Sequence, residues 1–235
     1  MRSGRSEKTI NEVAAALEKD QLDRLFTAVS EIDLREESFK EFFSGLRSES
    51  DRALAIVTFA YIDERLRDLF EQALNKEVAG GTASLLEGIA PLSSSNARIQ
   101  LAAALYWLRP DTYHNLRLLR KIRNDFAHDS TANAFSHRRI AGLLTSMHPI
   151  ENKIIDAVRS ITEFDRELID RERFFIRCVT TCQAMITEMA SAPIASRMGL
   201  PPHALYRRDM KELPLPVQAL MRSASIAILE FIGKE

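Results

Sequence analysis

"SESDRALAIVTFAYIDERLRDLF", residues 48–70, decides the fold class. Ala55, Phe59, Ile62, Leu66, Leu69 and Ala73 recur at spacings of three and four. That spacing lays one apolar stripe along about five turns of helix. The other side carries Asp63, Glu64, Arg65, Arg67 and Asp68. Ser48 is placed as the N-cap, with Asp51 three residues on to return the hydrogen bond. "AGGT" at 79–82 stops the helix.

Working outward, nearly every segment has helical periodicity. "INEVAAALEKDQLDRLFTAVSEI" predicts one or two short amphipathic helices, and "EESFKEFFSGL" another that ends near Gly45. A serine of the 93–95 run or Asn96 caps a helix through about Leu108. Pro110 breaks it, and Asp111 or Thr112 caps the next. That next helix buries Leu116, Leu119, Ile122 and Phe126. "HRRIAGLLTSM" is a short helix, followed by a longer pair split near residue 165. A proline-rich connection from residue 191 leads to a last helix, "VQALMRSASIAILEFIG". The 8 Gly and 8 Pro cluster at a few points, and no sustained period-two alternation suggests a strand. The expected fold is all-α: a single multi-helix, bundle-like domain with peripheral helices. Its expected divisions are N-terminal helices over 1–46, a core over 47–150, and C-terminal helices over 151–235 packed on that core.

Composition narrows the function classes. Hydrophobic residues make up 46% and charged residues 28%, the balance of a globular protein. A net charge of −1 excludes a nucleic-acid-binding polycation, so any phosphate affinity must come from a local patch. No run approaches the ~20 apolar residues of a membrane span. The basic N-terminus lacks the apolar core of a signal peptide, so a cytoplasmic protein is expected. Cys178 and Cys182, one helical turn apart, read as two buried thiols. They have no His or Cys neighbours that would complete a zinc site.

"RKIRNDFAHDS", residues 120–130, is the chemically dense stretch. On a helix Arg120, Asn124 and His128 align at four-residue steps, with Arg117 and Arg123 within a turn of Arg120. Such a face of guanidiniums, an amide and an imidazole suits an anion. Arg123, Asn124 and His128 also spell R-N-x-x-x-H, which resembles the signature of the HEPN superfamily of helical domains. Many of these are metal-independent ribonucleases. The resemblance implies His128 as proton-transfer group for a ribose 2′-hydroxyl or the leaving oxygen, Arg123 as stabiliser of phosphorane charge, and Asn124 as orienter. The alternative is a helix C-terminus whose polar side chains bond the last carbonyls and whose cations complement the dipole.

The motif sits in a longer ordered set. Asp51-Arg52-Ala53-Leu54 opens a helix that reaches Ile62-Asp63-Glu64. Leu85-Leu86 then precedes Gly88 in "GIAPLSSSNARI", and "LRLLRKIRNDFAH" closes the set. This order resembles the mannitol operon repressors, the MltR or MtlR family, over about residues 47–150. The resemblance implies an all-helical cytoplasmic protein tied to transcriptional control of sugar uptake. It implies action through partners, such as proteins of the phosphotransferase system. The sequence agrees in offering no helix-turn-helix to read DNA.

The expected function is therefore a non-catalytic regulator that works through a protein or nucleic-acid partner as a homodimer. A HEPN-like endoribonuclease and a small-anion sensor stand as alternatives, with RNA a possible partner. Arg123, Asn124 and His128 are the candidate catalytic set. Arg117, Arg120, Asp63 and Glu64 are the candidate binding set, with Asp63 or Glu64 able to orient Arg120 or Arg123. Carboxylates on a helix face are otherwise most simply solvated or salt-bridged. Trp107 reads as a core plug with Tyr106 its polar-tipped neighbour. No metal site, cofactor motif, glycine-rich phosphate loop or nucleophile elbow is present.

Overall fold

The stripe of residues 55–73 forms as expected and lies at the centre of the molecule. The computed structural model describes residues 3–149, 156, 166–207 and 209–233. Among the described residues there are nine α-helices and no strand, and the all-α fold stands. They are α1 (Ser3–Ser30), α2 (Glu36–Ser44), α3 (Asp51–Ala73), α4 (Ala83–Leu86), α5 (Ser95–Ala104), α6 (Pro110–His128), α7 (Arg138–Thr145), α8 (Asp170–Arg197) and α9 (Leu215–Ile232). The expected split near residue 165 lies outside the described residues.

α3 buries Ala55, Phe59, Ile62, Leu66 and Leu69 against α6 and α8. Its N-cap is Ser50, whose hydroxyl accepts the Ala53 N–H at 3.2 Å. Ser48, the expected cap, belongs instead to the 3₁₀ turn Gly45–Ser48. Asp51 is likewise drawn away from a capping box. Its carboxylate takes the Phe135 N–H at 2.9 Å and the Arg171 guanidinium at 2.6 Å. Tertiary partners have outcompeted the local motif. Arg65, expected on the outer face, is also buried, bonded to Asp68 and to the Leu34 carbonyl.

α8 is buried over most of its 28 residues, as a central helix surrounded by others must be. Cys178 and Cys182 are free and buried there, as expected, and burial pushes the Cys178 thiol up to about 12. A thiol held protonated in this way is chemically inert. The proline-rich stretch departs from expectation, because α8 runs through Pro193 to Arg197 before the chain turns irregular. α9, at 18 residues and mean hydropathy 1.4, is long and apolar enough to cross a bilayer. Here it packs on α2 and α8, with Phe231 stacked on Phe175 at 3.7 Å. The pair formed by Phe175 and Phe43 ties α8 to α2.

α5 starts after the cap Ser94 and ends at Ala104, short of Leu108. Tyr106 takes φ 57° and is 74% exposed, while Trp107 turns inward onto Phe70. α6 then starts at Pro110, its N1 residue, after Arg109 as N-cap. Proline suits that position because its missing N–H would have no helical partner there. Neither Asp111 nor Thr112 is the cap.

Candidate functional site

α6 separates its two faces cleanly. Leu116, Leu119, Ile122 and Phe126 are buried, as the spacing predicts, together with Leu118. Phe126 meets Phe135 at 5.1 Å, and Phe135 stacks on Phe174 at 4.3 Å. This aromatic column fastens the C-terminal end of α6, and the loop after it, to α8. The loop is tied down a second time by Arg52, which donates to the carbonyls of Asp129 and Ala132, each at 3.0 Å. Asp129 accepts the Thr131 hydroxyl at 2.6 Å and its N–H at 2.9 Å. Those bonds hold its carboxyl below the usual range.

The motif residues therefore sit on a rigid platform. Arg123 and Asn124 are half-buried, and Arg123 Nη1 donates to Asn124 Oδ1 at 3.1 Å. His128 is exposed at the last position of the helix. Asp125 is occupied by Arg139 of α7 at 2.9 Å. Arg117 and Lys121 are exposed, with the Arg117 guanidinium 5.4 Å from the Tyr113 ring centre. Arg120 is half-buried, and its Nε is buried without a hydrogen-bond partner among the described residues. The result is a basic stripe along α6 with an imidazole at one end.

The α3 carboxylates do not join this set. Asp63 accepts Arg98 Nη2 at 2.5 Å, and Glu64 is exposed. Among the described residues neither pairs with Arg120 or Arg123, so the expected orienting contact gives way to an α3–α5 latch. Arg98, 3% exposed, also donates to the carbonyls of Leu92 and Ser93 at 2.6 and 3.0 Å. No group of three or more His, Cys, Asp or Glu suited to a metal occurs among the described residues.

Sequence reasoning missed Glu188. It lies inside the apolar run of α8, is 1% exposed, and reaches the N-terminal turn of α6. Its Oε2 accepts the Arg109 N–H and its Oε1 the Thr112 hydroxyl, both at 2.8 Å. A lone carboxylate inside the mostly apolar stretch of residues 184–195 is the signal that could have found it. Burial pushes its carboxyl up to about 7, against the pull of those two bonds and of the Arg109 charge. The folded state thus holds the proton more tightly than the unfolded chain. Glu188 stabilises the fold fully below 4.5, and that contribution is lost as pH rises through about 7. Glu188→Gln is expected to remove this loss, on the order of 3 kcal/mol. Urea denaturation of both proteins at about pH 5 and about pH 8 checks it. A wild-type-minus-variant difference that does not change with pH would contradict the assignment.

A family model described as MtlR, mannitol repressor, matches residues 47–187. No curated protein and no solved structure matches the chain.

Proposed function

The chain belongs to the mannitol repressor family, MtlR, and from that premise we propose a non-catalytic transcriptional regulator. In this reading it is a cytoplasmic homodimer that acts by holding a protein or nucleic-acid partner against the basic stripe of α6. The observation that carries this is the shape of the stripe. Arg117 and Lys121 are exposed one turn apart on α6, Arg120 and Arg123 are half-buried beside them, and none of the four lines the cavity of about 410 Å³ at the N-terminal end of α6. Cations spread along the outer side of one helix suit a broad acidic surface. Chemistry on a small bond favours a concave, water-excluding site instead. A second copy has an apolar surface to meet in Ile10, Val13 and Leu17, which are exposed at spacings of three and four on α1. Sedimentation that finds only monomer would remove the homodimer from this reading.

One observation favours the HEPN-like ribonuclease as a second reading. The Arg123 guanidinium donates to Asn124 Oδ1 at 3.1 Å, and exposed His128 follows Asn124 by one helical turn. RNA incubated in EDTA with wild type, Arg123→Ala and His128→Ala separates the two. All three proteins are expected to leave the RNA intact. Cleavage by wild type that both substitutions abolish, with cyclic phosphate ends, would replace the regulator with a nuclease. A small-anion sensor on the same face would show as a rise in melting temperature with inorganic phosphate, by mass action.

A further inference from the structure

The cavity at the N-terminal end of α6 has a volume of about 410 Å³, within the range of small-molecule sites. Its walls differ in character. Ala184, Leu213, Val217 and Met221 make an apolar wall where α8 faces the start of α9. Thr112, Asn115, Thr181 and Glu188, all buried, make a polar one.

The bonds already made on the polar wall define what remains open. Each Glu188 oxygen accepts one protein hydrogen bond and keeps capacity for another. Thr181 accepts Asn115 Nδ2 at 3.3 Å, and its own hydroxyl proton goes to no acceptor among the described residues. Gln183 gives its Nε2 to Thr187 at 3.1 Å, which leaves its Oε1 open. The free groups are therefore acceptors at Glu188 and Gln183 and a donor at Thr181.

The charge balance selects the ligand. Among the described residues Arg109 is the one guanidinium on the lining, with its charge 5.2 Å from the Tyr206 ring centre. Its charge acts on Glu188, and a second carboxylate on the lining, Asp111, lies 3.6 Å from His148 Nε2. Among the described residues of the lining no surplus cation remains to hold an anion, and the Arg109 charge beside Glu188 opposes an ammonium group. We propose that this cavity binds a small neutral polyhydroxy compound. Its hydroxyls donate to Glu188 and Gln183 and accept from Thr181, and its carbon skeleton lies on Val217 and Met221. The site is separate from the α6 basic stripe and does not depend on how that stripe acts.

Titration calorimetry at about pH 8, where Glu188 is ionised, tests it with a set of hexitols, pentitols and hexoses, with a hexose phosphate and an aliphatic diamine as charged controls. At least one neutral polyol is expected to bind the wild type. Ala184→Phe, which fills the cavity, is expected to abolish that binding. Glu188→Gln, which keeps the shape, is expected to weaken it about tenfold, the size of one charge-assisted hydrogen bond. If Ala184→Phe does not fold, Thr181→Val serves as the second variant, with a smaller loss expected. The proposal is overturned if no neutral polyol binds, if only a charged control binds, or if binding is unchanged in the substituted proteins.

Discussion

Arg98→Ala is expected to destabilise the protein by about 3–5 kcal/mol, the cost of leaving a buried ion pair half-removed. Three acceptors lose their donor at once: the Asp63 carboxylate and the carbonyls of Leu92 and Ser93. Two of them belong to the chain that leads into α5, so the latch between α3 and α5 opens. Asp63→Asn is the milder change, because the amide oxygen can still accept from Arg98 Nη2 and the Leu92 and Ser93 carbonyls still hold the guanidinium. Chemical denaturation of the two variants measures both. A cost below about 1 kcal/mol for Arg98→Ala would mean that the latch does not hold the helices. It would also reopen Asp63 as a partner for the α6 arginines.

The second large effect falls on the partner. Arg117→Glu combined with Arg123→Glu reverses two charges on the α6 stripe without touching its buried side. Neither guanidinium belongs to an ion pair with a carboxylate among the described residues; Arg117 is exposed, and half-buried Arg123 gives up its bond to Asn124, so the fold is expected to stay within about 1.5 kcal/mol of wild type. Binding to an acidic partner is expected to fall about 100-fold, because two attractions become repulsions. The loss should shrink as salt is raised, since exposed charges are screened. A loss insensitive to salt would point to damaged packing instead.

How far the sequence could be read depended on the range of the forces involved. The stripes of α3 and α6 were legible because helical periodicity is local: Phe59, Ile62 and Leu66 on one helix, and Leu116, Ile122 and Phe126 on the other, are buried as their spacing requires. The exposed positions of Arg117 and His128 follow from the same periodicity, and Arg123 lies toward the edge of the buried stripe, half-buried. What was lost is non-local. Ser48 has the sequence features of a cap, but Asp51 is claimed by Phe135 and Arg171, both far along the chain. Asp63 has arginines within reach in several directions, and only the packing of α5 selects Arg98. Glu188 shows as an anomaly in an apolar helix, yet nothing near it in sequence points to Arg109 and Thr112. Buried polar side chains choose partners by tertiary geometry, which a single sequence does not carry.

The most direct test is a transcript profile of the source strain lacking this chain, complemented in turn with wild type, His128→Ala and the Arg117→Glu, Arg123→Glu protein at equal abundance. A regulator that works by holding a partner predicts that wild type and His128→Ala both restore the repressed transcripts, and that the charge-reversed protein does not. Failure of folded His128→Ala to restore them, with the charge-reversed protein still active, would contradict it and place the function in the imidazole.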